Sequence, residues 1–219
     1  MLDSVILETS KISDAAVIWL HGLGADGHDF ESIVPELRLP TDLKIRFIFP
    51  HAPTMPVTVN GGYVMPAWYD IAGGGVLDNE DEEGMKRSQK QIVELIEAEK
   101  KKGVPANRII LAGFSQGGAM TLFSGLRYPQ KLAGLMVLSA YLPLAEKTTA
   151  EMNEANSKTP VFMAHGKQDG VVPYEGARIS KEFLLKRGCP VEWHEYNMAH
   201  SIHPQEIRDI YAWIQTVLR

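Results

Sequence analysis

The apolar and polar positions of this chain fall into two alternating patterns. Short runs rich in β-branched residues are separated by longer stretches in which apolar residues recur every three or four positions. The short runs predict strands near 4–8, 15–20, 44–49, 108–113, 134–139, 160–164 and 191–196. Several of these runs, among them AAVIWL and RIILAG, are almost continuously apolar, which is typical of strands that helices cover on both faces.

The longer stretches have helical periodicity. They predict helices near 28–37, 84–102, 116–127, 174–187 and 204–218. In the last of these, Ile207, Ile210 and Ile214 fall on one face, and Pro204 suits a first-turn position. Such stripes are the core-facing sides of helices that pack on a sheet.

Strands and helices alternate regularly along the chain. This order predicts an α/β fold with a mainly parallel central sheet and helices on both of its faces. The length of 219 residues fits a single domain over 1–219. In such a sheet the functional groups collect at the carboxyl ends of the strands.

The segment at about 50–83 departs from this alternation. It is rich in proline and glycine and contains no clear long helix or strand. Apolar side chains such as Met55, Tyr63, Met65 and Trp68 make it too hydrophobic for a disordered insertion. We therefore predict a long, lid-like functional loop.

The charge and the cysteine content limit the binding partners and the cellular compartment that we expect for this protein. The net charge is −5, and the longest run of basic residues is the triplet at 100–102. This disfavours nucleic-acid binding, which requires a basic face, so we expect no nucleic-acid partner. The single cysteine, Cys189, excludes an intrachain disulfide and fits a reducing compartment. No signal peptide is evident, and no apolar run approaches the roughly 20 residues that span a bilayer. We expect a cytoplasmic protein without stable membrane insertion, and the sequence leaves a homodimer open.

The apolar run RIILAG leads into GFSQG, in which Ser115 stands between glycines. The pattern G-x-S-x-G is typical of a turn that projects the serine at the top of a sheet, where small neighbours relieve crowding. A serine hydroxyl is a weak nucleophile, so it needs a base and an acidic group that orients the base. In this type of site the acid and then the histidine follow the serine along the chain.

Two later loops supply these partners in that order. Asp169 follows the predicted strand PVFMAH, and His200 follows VEWHEYN. Both positions lie after strands, so we expect them on the same edge of the sheet as the serine. Asp29, Asp42 and Asp70 precede the serine and break the expected order.

Other histidines have alternative interpretations. His203 and His200 form a His-x-x-His pair that could ligate a metal, but no third ligand is evident and zinc sites need three or four. His203 also precedes Pro204 at a predicted helix start. His194 lies within a strand and His165 ends one, so we interpret both as structural. We expect neither a metal nor an organic cofactor.

A glycine-rich turn, HGLG, follows the early strand AVIWL. Negative charge on a substrate oxygen needs preorganised N–H donors, each worth about 3 kcal/mol in a dry site. The predicted donors are the N–H of Leu23 in this turn and the N–H of Gln116, which directly follows the serine. An ordinary glycine turn is the alternative for HGLG, but its combination with the other motifs favours an oxyanion hole.

Together, HGLGADG, GFSQGG, HGKQDGVVP and the closing histidine loop resemble the small carboxylesterases and acyl-protein thioesterases of the α/β-hydrolase superfamily, a group that includes lysophospholipase-like enzymes. The resemblance covers nearly the whole chain, with four motifs in the family's order. It implies an α/β-hydrolase fold in which Ser115 is the nucleophile, His200 the general base and Asp169 its orienting carboxylate. Leu23 and Gln116 would supply the oxyanion donors.

The expected substrates follow from the apolar residues around these motifs. Trp68 matches the aromatic position of the family's WFD or WYD segment beside the active site, and Met65 and Val172 are predicted to line an acyl groove. We expect hydrolysis of small-molecule carboxylic esters with short to medium acyl chains through an acyl-enzyme. The alternative is an acyl-protein thioesterase or lysophospholipase acting on long chains, and a further one is a non-catalytic module that binds a hydrophobic ligand.

Two positions depart from the family's pattern. Ala199 stands where relatives often carry the glycine of Met-Gly-His, which matters if that position requires a positive φ. Pro66 stands where we expect an arginine in many bacterial members. The second departure predicts an entrance of different shape and charge.

Overall fold

The structure, a computed structural model, describes residues 1–73 and 80–219. Its strands are β1 (Ser4–Glu8), β2 (Ala15–Leu20), β3 (Ile45–Pro50), β4 (Thr54–Val57), β5 (Tyr63–Pro66), β6 (Ile109–Phe114), β7 (Gly134–Leu138), β8 (Val161–Gly166) and β9 (Val191–Tyr196). Its helices are α1 (Ile33–Glu36), α2 (Glu82–Lys101), α3 (Gln116–Arg127), α4 (Ala145–Glu151), α5 (Tyr174–Lys186) and α6 (Pro204–Leu218). Within these ranges no helix has the length and hydrophobicity needed to cross a bilayer.

Seven of these strands form one sheet in the order β1-β3-β2-β6-β7-β8-β9. Strand β1 pairs antiparallel with β3, and all other neighbours in this sheet are parallel. The predicted mainly parallel sheet is thus confirmed. Because parallel strands end at the same edge, the loops after β2, β6, β8 and β9 all emerge on one side of the sheet.

Helices cover both faces of the sheet, and strand β2 shows how. Its residues alternate between two hydrophobic clusters: Ala16, Ile18 and Leu20 pack with α2 and α3, whereas Val17 and Trp19 pack with α1 and α6. Every residue of β2 is buried, which explains why AAVIWL has no polar position.

The observed helices differ from the predicted ones in two places. The helix expected at 28–37 is helical only over Ile33–Glu36, because the preceding residues form turns with i→i+3 hydrogen bonds, such as Ile33 N–H to the Phe30 carbonyl at 3.1 Å. Pro35 has no N–H with which to extend a regular helix there. Helix α4 was not predicted, since AEKTTAE has no apolar stripe and Thr148 is its buried residue.

The segment at about 50–83 also contains more structure than predicted. Strands β4 and β5 pair antiparallel as a hairpin, with Val57 opposite Tyr63. Gly61 and Gly62 at its tip have φ angles of 66° and 78°, which glycine adopts easily. Part of the predicted lid-like loop, residues 74–79, lies outside the described residues, and its lid role stays a prediction.

Candidate active site

The turn around Ser115 joins β6 to α3 and holds the serine in an unusual backbone conformation. Ser115 has φ 54° and ψ −121°, and its N–H donates to the Leu138 carbonyl at 2.9 Å. A Cβ atom at Gly113 would lie 2.2 Å from the Gly117 carbonyl oxygen, and one at Gly117 would lie 2.3 Å from the Leu20 carbonyl oxygen. Only glycine fits at both positions, so the chain can make this sharp strand-to-helix turn. The strain at the serine is typical of functional turns.

Asp169 lies in the loop after β8 with both carboxylate oxygens occupied. One oxygen accepts the N–H groups of Val171 and Val172 at 2.8 and 2.9 Å. The other accepts Nδ1–H of His200 at 2.7 Å. The side chain exposes no surface, so these charge-assisted bonds fix the carboxylate without competition from water.

His200 lies in the loop between β9 and α6. Because a carboxylate oxygen can only accept, Nδ1 carries the ring proton and Nε2 of the neutral ring has a free lone pair. The ring lies 4.7 Å, centroid to centroid, from that of Phe114, the residue directly before Ser115. The structure therefore brings the predicted base beside the serine turn and the predicted acid behind it.

A second histidine, His165, also faces the acid. Its Nε2 lies 2.9 Å from the Val172 carbonyl oxygen and 3.4 Å from a carboxylate oxygen of Asp169. The side chain is fully buried, and burial lowers its pKa, so the ring is neutral. Since both neighbours of Nε2 are acceptors, that nitrogen carries the ring proton. The ring therefore donates a hydrogen bond to the Val172 carbonyl and stabilises the loop that carries Asp169.

The HGLG turn follows β2 and lies against the serine. A Cβ atom at Gly22 would lie 3.4 Å from Ser115 Cβ. Gly24, with φ 76°, donates its N–H to the Pro66 carbonyl at 2.9 Å and so ties this turn to strand β5. Within residues 1–73 and 80–219, the N–H groups of Leu23 and Gln116 donate to no protein acceptor. Both predicted oxyanion donors thus remain available at this edge of the sheet.

The three residues predicted to bind substrate lie in different environments. Met65 in β5 is half-buried, and its Sδ lies 3.6 Å from the Cβ position of Gly24 in the HGLG turn. Val172 is 4% exposed; its N–H donates to Asp169, and its carbonyl oxygen is hydrogen-bonded to His165. Trp68 is 0% exposed, and its indole N–H donates to the His21 carbonyl at 2.9 Å. The expected Trp68 contact with substrate is corrected accordingly, because the ring has no surface for a ligand to touch.

The competing histidines have structural roles here. His203 is the N-cap of α6 and accepts the Gln205 N–H at 3.1 Å through Nδ1. His194 Nε2 lies 2.8 Å from a carboxylate oxygen of Glu192. The φ angle of Ala199 is not positive, so the loop before His200 does not require glycine at this position.

Some residues that shape the site were not predicted from the sequence. Gly166, the last residue of β8, is one: a Cβ atom there would lie 2.4 Å from the carbonyl oxygens of both Met198 and Ala199. Its missing side chain lets the His200 loop lie directly on the end of β8. The dipeptide His-Gly just before the acid was the available signal, and His165 was predicted to be only structural.

The sequence model of the Phospholipase/Carboxylesterase family matches residues 2–218. The chain belongs to this family. It is thus an enzyme of the serine hydrolase class with the predicted α/β-hydrolase fold. Its family resemblance, inferred from four short motifs, is confirmed over almost the whole length.

Relatives of this phospholipase/carboxylesterase chain include proteins named acyl-protein thioesterase 1. The one from Gibberella zeae is 44% identical over 214 residues, which cover 93% of this chain and 91% of that protein. The one from Schizosaccharomyces pombe is 39% identical over 221 residues, with 99% and 97% covered. Among solved structures, Arabidopsis thaliana SOBER1 is 33% identical with a TM-score of 0.88, covering 94% of this chain and 99% of that one. Zea mays acyl-protein thioesterase 2 is 28% identical with a TM-score of 0.87 and complete coverage of both chains.

Proposed function

We propose that Ser115 is the nucleophile, His200 the general base and Asp169 the carboxylate that orients the base. The observation that carries this assignment is the 2.7 Å hydrogen bond from His200 Nδ1 to a fully buried Asp169 oxygen, next to a serine held at φ 54°. Nδ1–H is bound to the acid, which leaves Nε2 to take a proton from the serine hydroxyl.

The reaction divides into acylation and deacylation. Ser115 Oγ attacks the acyl carbonyl carbon while His200 Nε2 accepts the hydroxyl proton. The carbonyl oxygen becomes an oxyanion bound by the N–H groups of Leu23 and Gln116, each worth about 3 kcal/mol. The tetrahedral intermediate collapses as His200 returns the proton to the leaving oxygen or sulfur, and an alcohol or thiol departs. Water, deprotonated by His200, then attacks the acyl-enzyme and releases the carboxylic acid.

We propose carboxylic esters of short to medium acyl chain length as substrates. Support comes from the apolar surface that the β4–β5 hairpin adds next to the HGLG turn. The Sδ of Met65 lies 3.6 Å from the Cβ position of Gly24 in this turn, and Tyr63, two residues earlier on the same face of the strand, is 70% exposed. Each CH₂ of an acyl chain that such residues cover contributes about 0.8 kcal/mol.

A second candidate is thioester cleavage on acylated proteins. The observation that favours it is the set of relatives at 39–44% identity that are named acyl-protein thioesterase 1. The same residues would perform both reactions, because only the leaving atom differs. The alternative of a non-catalytic ligand-binding module conflicts with the intact set of nucleophile, base, acid and free N–H donors.

The test is kcat/KM for nitrophenyl esters and acyl thioesters from about two to about sixteen carbons, spaced to resolve the contribution of each CH₂. A maximum at short or medium oxygen esters supports the first candidate, and a rise toward long thioesters supports the second. Ser115→Ala is expected to lower kcat/KM by about 10⁴-fold or more and to block labelling by an organophosphonate. Full activity of a clean Ser115→Ala preparation would refute the assignment itself.

Location and self-association stay predictions. Cys189 is buried and unpaired, which supports a reducing compartment such as the cytoplasm. Light scattering on the purified chain distinguishes a monomer from a homodimer.

A further inference from the structure

Two buried tryptophans of this chain differ in what their indole N–H groups do. Trp19 and Trp68 are 1% and 0% exposed. Among the residues that the structure describes, the Nε1 of Trp19 has no hydrogen-bond partner, whereas the Nε1 of Trp68 donates to the His21 carbonyl at 2.9 Å. Only one residue, Gly22, separates His21 from Leu23, so the Trp68 indole holds the beginning of the turn that carries one predicted oxyanion donor.

The side chain of Gln116 holds the same segment from the other side. Its Oε1 accepts the Trp68 N–H at 2.8 Å, and its Nε2 donates to the Tyr69 carbonyl at 2.8 Å. The carboxamide is 4% exposed, and both of its ends are bound to backbone. A glutamate of the same shape would place an acceptor oxygen against the Tyr69 carbonyl, so this contact requires an amide.

These bonds connect the two oxyanion donors to each other. From the His21 carbonyl the connection runs through the Trp68 indole and backbone N–H to the Gln116 side chain, and Gln116 carries the second donor on its own backbone. His21 is fixed as well: its Nε2 accepts the Ala52 N–H at 3.0 Å, and its Nδ1 donates to the Gly22 carbonyl at 2.7 Å. The connected side chains are buried, so water does not compete for the bonds.

We propose that the Trp68 indole and the Gln116 carboxamide are positioning groups that set the spacing of the Leu23 and Gln116 N–H donors. Neither group touches substrate; they act through the backbone that carries the donors. The inference rests on the proposed function, since it concerns donors that matter only if Ser115 generates an oxyanion. Oxyanion donors must be fixed before the reaction to be effective, and a small displacement weakens transition-state binding more than substrate binding.

The test compares Trp68→Phe with Trp19→Phe. Both changes shorten a buried tryptophan, but only the first removes an indole hydrogen bond, so Trp19→Phe is the matched control for lost packing. For an ester substrate we expect Trp68→Phe to lower kcat by about 10- to 100-fold with KM changed less than about threefold. Affinity for a trifluoromethyl ketone, whose adduct with a serine carries an oxyanion, should fall by the same factor as kcat.

Gln116→Glu is the second variant, because it keeps the volume of the side chain. It tests the same inference if Trp68→Phe does not fold. It is expected to show the same loss in kcat and in ketone affinity. Titration with a phosphonate gives the concentration of folded active sites, so that kcat is calculated per folded enzyme. The inference is overturned if Trp19→Phe has the same thermal unfolding midpoint as these variants and loses as much kcat and ketone affinity as they do. It is also overturned if KM rises while kcat and ketone affinity stay unchanged, which would indicate substrate binding. Failure of the proposed function is distinct, since Ser115→Ala would then retain activity.

Discussion

Two regions that border the site are built in opposite ways. The floor, defined as the serine turn at 113–117 and the HGLG turn at 21–24, is mostly buried and braced by paired polar groups behind it. The rim, defined as the β4–β5 hairpin, exposes apolar side chains: Tyr63, Val64 and Val59 are 70%, 58% and 51% exposed. The floor therefore keeps paired polar groups buried behind it, whereas the rim exposes several large apolar side chains.

Under the proposed function, the floor and the rim have two different tasks. Stabilisation of a developing charge depends on dipoles that cannot reorient, which requires buried donors with fixed partners. Recognition of an acyl chain depends on apolar area and tolerates movement. Changes in the floor should therefore alter kcat for all substrates, whereas changes in the rim should alter the dependence on chain length.

The largest expected effect in this comparison is that of Asp169→Asn. An amide cannot replace a carboxylate that accepts two N–H groups on one oxygen and the His200 Nδ1–H on the other. We expect kcat to fall by about 10³- to 10⁴-fold for short and long esters alike. Asp70→Asn is the control, because the Asp70 carboxylate accepts hydrogen bonds from Thr58 and from the Ile71 N–H and, among the described residues, from none of the proposed catalytic groups, so kcat should stay near the wild-type value. Equal losses in the two variants would remove Asp169 from the mechanism.

Gly166→Ala tests whether the His200 loop belongs to the floor. The new methyl would lie 2.4 Å from the carbonyl oxygens of Met198 and Ala199, so the loop must shift. We expect a decrease in kcat of about 10- to 100-fold, together with a loss of about 1–3 kcal/mol in the free energy of unfolding. Gly170→Ala, in the Asp169 loop that follows β8, has nothing within 4 Å of its Cβ position and should change neither quantity appreciably. A Gly166→Ala enzyme with normal kcat would show that the loop tolerates displacement.

Changes in the rim should have smaller and more selective effects. For Tyr63→Ser and Val64→Ser we expect kcat/KM to fall a few-fold for medium-chain esters and to stay constant for acetyl esters, since each CH₂ is worth at most about 0.8 kcal/mol. Ile12→Ser is a suitable control, because Ile12 is 77% exposed and lies in the turn before β2. A uniform loss over all chain lengths would contradict the separation of floor and rim.

The smallest expected effect on activity, but a distinct one on stability, concerns Glu206 beneath the His200 loop. It is buried, accepts the His203 N–H at 3.1 Å, and burial raises its pKa from 4.5 to about 8. The native state thus holds this proton more tightly than the unfolded chain does. The stabilisation is complete below about pH 4.5 and is lost as the pH rises through about 8.

We therefore expect the free energy of unfolding of the wild type to decrease across this window, by at most about 1.4 kcal/mol per pH unit from this group. Glu206→Gln should flatten the dependence in urea denaturation at several pH values. Glu36→Gln, at an exposed glutamate, should keep the wild-type slope. An unchanged slope in Glu206→Gln would show that the group is ionised in the native state.

The sequence allowed some of these features to be predicted because their signals are local. Ser115 is marked by glycines that a sharp turn requires, and Asp169 and His200 each follow an apolar run in the expected order. Trp68 was assigned to substrate because it matches the family's WFD or WYD segment. The sequence gives no indication of its burial, which depends on the distant His21 and Gln116. Likewise, the four-residue strands of the hairpin have too few positions to show a period.

The order of the site along the chain has a consequence for its synthesis on the ribosome. Ser115 and both N–H donors emerge early, whereas His200 emerges only after β9, the strand that completes one edge of the sheet. Until β9 joins β8, the nascent polypeptide carries Ser115 without the proposed base, His200. Under the proposed roles, acquisition of activity should therefore coincide with the addition of β9 to the sheet, and the growing chain should not hydrolyse acyl groups before that step.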